Sequence, residues 1–289
     1  MASQATFKSF AKINLTLDVL GRRDDGYHDI KMVMQTVSLY DLVTVELLKG
    51  EENIGKISVE TNLPFLPVGN DNLAYRAAKL FYDETGIAGG VNIKLDKHIP
   101  VGAGLAGGSS NCAVVLKAMN RLYDAGLSMR RLCTMGAKLG ADVPYCLLGG
   151  TRLAEGIGEK LSPLPRMPFC HILLVKPAFS ISTKAVYEKI DSHSGYRRPD
   201  TERVISGLKD HSLETIFGGM ANVLEEVSIS DYPVLADVKH SLTELGAAMT
   251  QMSGSGPTVF GIFTDYSKAA NAKRELWGKY KTVYLCKPV

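Results

Sequence analysis

The stretch Ile99–Lys117, IPVGAGLAGGSSNCAVVLK, carries Gly102, Gly104, Gly107 and Gly108 just ahead of Ser109 and Ser110. Beyond them, Val114, Val115, Ala118, Met119 and Leu122 fall on one face of a 3.6-residue period. The pattern predicts a helix capped by Ser109 or Ser110. Glycines ahead of it let the backbone approach a ligand closely and take positive φ. The N–H groups of the helix start then converge on one point, an anion site whose usual occupant is phosphate.

Gly102-Ala103-Gly104-Leu105-Ala106-Gly107 also has the dinucleotide-binding spacing G-x-G-x-x-G. That motif must follow a strand directly, and Pro100 separates it from the strand predicted over Val91–Leu95. After the helix come Asp124-Ala125-Gly126 and a second helical pattern, where the dinucleotide fold needs a strand. No Lys-Ser or Lys-Thr follows the glycines, so the ATPase P-loop spacing is not met either. Taken alone, the stretch is equally a glycine turn before a capped helix.

With 289 residues, 45% of them apolar, the chain can form one large or two moderate domains around a proper core. A net charge of +3 without any block of five like charges argues against a nucleic-acid partner. Cys112, Cys133, Cys146, Cys170 and Cys286 are odd in number and lack C-x-x-C spacing, which points to reduced, mostly buried thiols in a cytoplasmic protein. No apolar stretch has the length of a signal peptide core or a membrane span, so no membrane partner is expected.

Working outward from the glycine loop, Ala11, Ile13, Leu15, Leu17 and Val19 alternate with Lys12, Asn14, Thr16 and Asp18, a strand with one polar face. It runs into the turn Gly21–His28, where Asp25-Gly26 is a strong turn signal and Tyr27 and His28 add a stacking plane and an imidazole. Strands are predicted over Ile30–Ser38, Leu42–Leu48 and Lys56–Glu60, and a helix capped by Asp71 or Asn72 runs to Glu84. A second helix covers Ser128–Leu139. Asp142 then sits between Ala141 and Val143-Pro144-Tyr145, so its carboxylate is paired, functional or a cap. Thr151–Lys160 reads as a hairpin. Three prolines within Ser162–Pro168 place a boundary between domains 1–161 and 162–289. The second half reads strand, helices, strand, strand, helix, strand, an α+β plan of ferredoxin-like type.

Three separated motifs, AKINLTLDVLGRRDDGYH at 11–28, IPVGAGLAGGSSNCAVV at 99–115 and MSGSGPTVFGIF at 252–263, resemble those of the GHMP kinases, as does GADVPYCLLGGTRLAEGIGE at 140–159. The resemblance spans most of the chain and is thinnest over 190–245. It implies a two-domain α+β GHMP kinase fold, with an α/β N-terminal domain of the kind shared with a ribosomal protein and a ferredoxin-like C-terminal domain. It also implies ATP and Mg²⁺ as cofactors. The branch most similar acts on a cytidine-diphosphate-linked methylerythritol, phosphorylating its 2-hydroxyl in the non-mevalonate isoprenoid route. A homoserine or mevalonate type of kinase and a catalytically idle regulator of the same fold are the alternatives. The resemblance gives no more on assembly than monomer or homodimer.

By the same resemblance Asp142 is the catalytic base and Lys12 the catalytic lysine. Asn14 bonds the reacting end of the substrate. Tyr27 and His28 form the cytosine site, one stacking and one reading the base edge, with Tyr187 as a second aromatic wall and Thr183 nearby. Asn70, Asn72 and Lys97 match the region that holds adenine and ribose. Pro100, Val101, Gly102, Ala103, Gly104, Leu105, Ala106, Gly107, Gly108, Ser109 and Ser110 match the nucleotide loop, and Ser110 is the nearest candidate to ligate Mg²⁺.

Overall fold

The computed structural model describes residues 3–191 and 195–289. Along these residues run β1 (Gln4–Arg22), β2 (His28–Leu48), β3 (Ile57–Thr61), α1 (Leu73–Thr85), β4 (Gly90–Asp96), α2 (Gly107–Leu122), α3 (Met129–Ala137), α4 (Val143–Leu148), β5 (Thr151–Gly156) and β6 (Lys160–Pro163). There follow β7 (His171–Val175), α5 (Thr183–Ile190), α6 (Thr201–Lys209), α7 (Leu213–Gly219), β8 (Ala221–Asn222), α8 (Val223–Asp231), α9 (Val234–Glu244), β9 (Met249–Met252), β10 (Val259–Phe263), α10 (Tyr266–Tyr280) and β11 (Val283–Cys286). The strands predicted over Ile30–Ser38 and Leu42–Leu48 are a single strand, β2.

The chain forms two compact units that interleave along the sequence. The first holds Met1–Ala11, Tyr40–Ile99 and Ala106–Leu148, and the second Lys12–Leu39, Pro100–Leu105 and Gly149–Val289. The proline-based boundary at 161/162 instead cuts the chain into two consecutive segments. Composition cannot register the interleaving, because β1 and β2 are long strands of 19 and 21 residues that run through both units without a break.

In the first unit, β4 pairs antiparallel with the end of β2, from Leu42↔Asp96 to Leu48↔Gly90, and parallel with β3. Helices α1, α2, α3 and α4 pack around a core that includes Val43, Ile93, Phe81, Leu116, Met119 and Met135. Asn72, one of the two predicted caps, opens α1 by accepting the Ala74 N–H at 2.9 Å; Ser128, predicted as the first residue of its helix, is instead the N-cap of α3 and accepts the Arg131 N–H at 3.2 Å.

In the second unit, β5 pairs antiparallel with the start of β2 and forms a hairpin with β6 that reaches Pro163. β8 adds to β1 in parallel through Thr16↔Ala221 and Leu17↔Asn222. A separate antiparallel sheet has the order β11-β7-β10-β9, with α9 and α10 packed on it, which is the ferredoxin-like plan. The middle strands β7 and β10 are buried almost throughout, so they read as continuous apolar runs.

The polar face of β1 is withdrawn from solvent: Lys12, Asn14 and Thr16 are as buried as Ile13, Leu15 and Leu17. Each of these three side chains takes part in a hydrogen bond. Gln251 donates to the carbonyls of Asn14 and Leu15 at 2.9 and 3.1 Å, and the Thr16 hydroxyl accepts the Val33 N–H at 2.8 Å.

Candidate active site

The second unit assembles a polar cluster on β1. Lys12, only 5% exposed, donates from Nζ to Asn14 Oδ1 at 2.7 Å, and Asn14 Nδ2 in turn donates to Met32 Sδ at 3.1 Å. Two residues apart on a strand, both point to the same face. A buried ammonium is expensive and persists where it is hydrogen-bonded and useful.

Two glycine loops close over this cluster. The Lys12 N–H donates to the Leu105 carbonyl at 3.2 Å, and Ser253 Oγ donates to the Gly104 carbonyl at 2.9 Å. Gly104 has φ +73°, and a Cβ there would fall on the Ser253 carbonyl oxygen, so glycine is required. Around the same loop, Asn222 Nδ2 donates to the carbonyls of Met252 and Gly254 at 2.9 and 2.8 Å. Thr183 and Ser255 share a hydroxyl–hydroxyl bond of 2.8 Å. The motifs at 99–115 and 252–263 are therefore neighbours through Gly104 and Ser253, although the sequence holds them far apart.

The start of α2 corrects one expectation. Neither Ser109 nor Ser110 caps the helix. It begins at Gly107, with Ala106 as N-cap at φ 56° and no side-chain cap. A left-handed Ala106 turns the chain sharply, so the first intrahelical bond runs from Ser110 N–H to the Ala106 carbonyl at 2.8 Å. The N–H groups of Gly107, Gly108 and Ser109 precede that first bond and have no acceptor within the helix, as an anion site requires. Pro100, Val101, Gly102 and Ala103 lie on the second-unit side of the loop, and Ala106 to Ser110 on the first.

Beneath that helix start, the first unit hides a network that sequence reading missed. Lys97 Nζ pairs with Asp41 Oδ2 and donates to Asn111 Oδ1 at 2.8 Å, all three side chains being buried. Asp41 Oδ1 accepts the N–H groups of His98 and Ile99, each at 2.7 Å. Asn111 Nδ2 donates to Asp41 and to Ser9 Oγ, both at 2.9 Å, and Ser9 Oγ in turn donates to Ser110 Oγ at 2.8 Å. The ammonium of Lys97 is thus committed inside the fold. Asn72 is similarly engaged, capping α1 and donating to the Pro67 carbonyl at 2.8 Å, while Asn70 is exposed. The one available signal was Asp41 itself, a carboxylate in the middle of an apolar strand pattern.

Asp142 is half-buried and stands immediately before α4, whose Val143, Pro144 and Tyr145 are buried. It lies in the first unit and Lys12 in the second.

The remaining expected site residues share the second unit. The imidazole of His28 lies 5.2 Å from the Tyr187 ring, tilted by 39°. His28 Nε2 bonds Asp191 Oδ1 at 2.7 Å, and Asp191 also meets Arg22 at 3.4 Å. Nothing in the sequence singled out Asp191. Tyr27 is 61% exposed, held by its backbone in the turn, where its N–H donates to Asp25 Oδ1 at 3.1 Å. The aromatic pair in place is His28 with Tyr187, while Tyr27 is presented to solvent.

Among the described residues there is no group of three or more His, Cys, Asp or Glu arranged to hold a metal ion, and no helix long and apolar enough to cross a membrane. The hydroxyl of Ser110 accepts from Ser9, so it retains its proton for one further bond.

Residues 72–150 match the model of the GHMP kinases N terminal domain and residues 204–281 that of the GHMP kinases C terminal region. A 4-diphosphocytidyl-2-C-methyl-D-erythritol kinase of Lachnospira eligens is 51% identical over 258 residues, covering 89% of this chain and 88% of that protein. The kinase of the same name from Alkaliphilus metalliredigens is 47% identical over 282 residues, covering 98% and 96%. A crystal structure of 4-(cytidine 5'-diphospho)-2C-methyl-D-erythritol kinase superposes with a TM-score of 0.83 at 33% identity, covering 98% of this chain and 99% of that one. The chain belongs to the GHMP kinases and, within them, to the family of 4-diphosphocytidyl-2-C-methyl-D-erythritol kinases.

Proposed function

We propose that the protein transfers the γ-phosphoryl group of ATP to the 2-hydroxyl of 4-diphosphocytidyl-2-C-methyl-D-erythritol, in the non-mevalonate route to isoprenoids. The observation that carries this reading is the identity of 51% and 47% to kinases of that name over nearly whole chains. The ring pair of His28 and Tyr187 supports a substrate that carries a base, which homoserine and mevalonate do not.

Phosphoryl transfer asks a protein mainly for positioning and charge stabilisation. In this reading Asp142 accepts the proton of the attacking hydroxyl. Lys12, held by Asn14, lies beside that hydroxyl and counters the developing charge. The first-turn N–H groups of α2 at Gly107, Gly108 and Ser109 cradle the ATP phosphates. Asn70, Asn72 and Lys97 border the adenosine end, the side chain of Lys97 acting from beneath by holding Asp41 and Asn111. Tyr27, His28 and Tyr187 take the cytosine, and Thr183 lies by the neighbouring substrate groups. Mg²⁺ held mainly by the phosphates suits described residues that bring no three metal-ligating side chains together, and Ser110 would be its candidate protein ligand. When bound, that ion would neutralise charge on the β- and γ-phosphates. Five free cysteines support work in a reducing compartment, the cytoplasm.

A coupled ADP-release assay tests the proposal. Turnover with 4-diphosphocytidyl-2-C-methyl-D-erythritol, and none with homoserine or mevalonate, is the expected result. Equal turnover with either amino or hydroxy acid overturns it.

A further inference from the structure

We infer that Asp191 is a positioning residue that fixes the tautomer of His28, and through it sets a preference for cytosine over uracil. The inference rests on the reading above in which His28 meets the substrate base.

The geometry comes from one short helix. Tyr187 and Asp191 are four residues apart, at the end of α5 and just beyond it, so they project to the same side. Tyr187 brings its ring against the imidazole, and Asp191 brings a carboxylate to its Nε2 at 2.7 Å. The His28 side chain is only 8% exposed, while that of Asp191 keeps 31% of its surface in solvent, so the imidazole side of this contact is buried and the carboxylate side faces water. The other carboxylate oxygen meets the guanidinium of Arg22 at 3.4 Å, which holds the carboxylate from its outer side.

A carboxylate only accepts hydrogen bonds, so the proton on Nε2 must point at Asp191. In the neutral imidazole the second nitrogen, Nδ1, then carries a lone pair and no proton. A fixed acceptor suits a partner that donates. The exocyclic amine of cytosine is such a donor, and uracil has a carbonyl oxygen at the same position. Two facing acceptors leave both unpaired, and a site built around one hydrogen bond rejects the analogue that cannot make it. Without Asp191 an imidazole exchanges between tautomers, and the one protonated at Nδ1 would donate to uracil.

The test compares wild-type protein with Asp191→Ala, Asp191→Asn and His28→Ala. For each, kcat/KM is measured with the cytidine diphosphate substrate and with its uridine counterpart, together with KM for ATP. Nitrogen-15 resonances of the His28 ring report the tautomer directly. The expected wild-type ring is protonated at Nε2 and bare at Nδ1. In Asp191→Ala the ring becomes a tautomer mixture and the cytidine-to-uridine ratio of kcat/KM falls about tenfold or more, while KM for ATP holds. Asp191→Asn, whose amide oxygen still accepts, recovers part of the ratio. If His28→Ala collapses the ratio and Asp191→Ala does not, the role of Asp191 is overturned while His28 keeps its place at the base. If His28→Ala itself leaves the ratio unchanged, the base-reading role of His28 falls and this inference with it.

Discussion

Lys12 and Asn14 form a hydrogen bond of 2.7 Å on the buried polar face of β1, and Lys12 Nζ lies 3.3 Å from where a Cβ on Gly254 would stand. The ammonium is therefore held beside the 252–263 loop, with the Asn14 amide among its partners. A fold that needed only stability would place an apolar residue there. We expect Lys12→Met to lower kcat by roughly 10²-fold or more, while urea denaturation shows stability kept or raised. Asn14→Ala is expected to cost about 1–3 kcal/mol of stability by removing an acceptor from a buried donor. A Lys12→Met enzyme with near wild-type kcat would deny the lysine its role.

Asp142→Asn preserves size and hydrogen bonding but not basicity. The expected fall in kcat is roughly 10²–10⁴-fold, the usual worth of acid–base catalysis, with ATP affinity little changed. Steady-state kinetics beside an ATP titration decides this, and a variant retaining more than half the normal rate removes Asp142 from the chemistry.

Gly104 and Gly108 respond differently to a single methyl group. Gly104→Ala places a Cβ on the Ser253 carbonyl at a residue with φ +73°, and a loss of about 1–3 kcal/mol is expected. Gly108→Ala meets only Leu73 Cδ1 at 3.5 Å, inside a helix, so its melting temperature should hold or rise slightly. Calorimetric titration of this stable variant with ATP then isolates close approach to phosphate. Weakened binding supports the cradle, and unchanged affinity leaves the stretch a structural turn.

Asp41 and Lys97 are a buried ion pair, and breaking such a pair from one side is costly. Asp41→Ala is expected to destabilise by about 3–5 kcal/mol, since it strands the ammonium of Lys97 and frees two backbone N–H groups. Adding Lys97→Met removes the stranded charge, so the double variant should be more stable than Asp41→Ala alone. Denaturant midpoints for the four proteins of the cycle measure this, and a purely additive double variant contradicts the coupling.

Burial pushes the thiols of Cys112 and Cys170 up to about 12, leaving almost no thiolate near neutral pH. Cys133 and Cys146 are only half-buried. A thiol reagent at about pH 7.5 is therefore expected to label Cys133 and Cys146 first and the buried cysteines only on unfolding. Mass spectrometry of the labelled peptides follows the order, and early labelling of Cys112 in folded protein would contradict it.

Much of this protein is set by local physics that a sequence carries openly. The alternation over 11–19 makes β1, the side chains of Asn72 and Ser128 open their helices, and the apolar runs 171–175 and 259–263 make the buried strands β7 and β10. The glycine and polar motifs marked Lys12, Asp142 and the two loops for the same reason, since their residue types are poor at anything but turns and chemistry. What the sequence could not supply are relations between distant residues. Alternation says that Lys12 and Asn14 share a face with Thr16, but not that this face is buried. The cap of α2 went to Ala106 because a left-handed φ, set by how the loop must turn, outranked the preference of serine for that position. Lys97 meets Asp41 across 56 residues of chain, and His28 meets Asp191 across 163. Those pairings turn one lysine inward and aim one imidazole. They are decided only by tertiary structure, because hydrogen bonds and burial depend on distance in space and no local pattern encodes that distance.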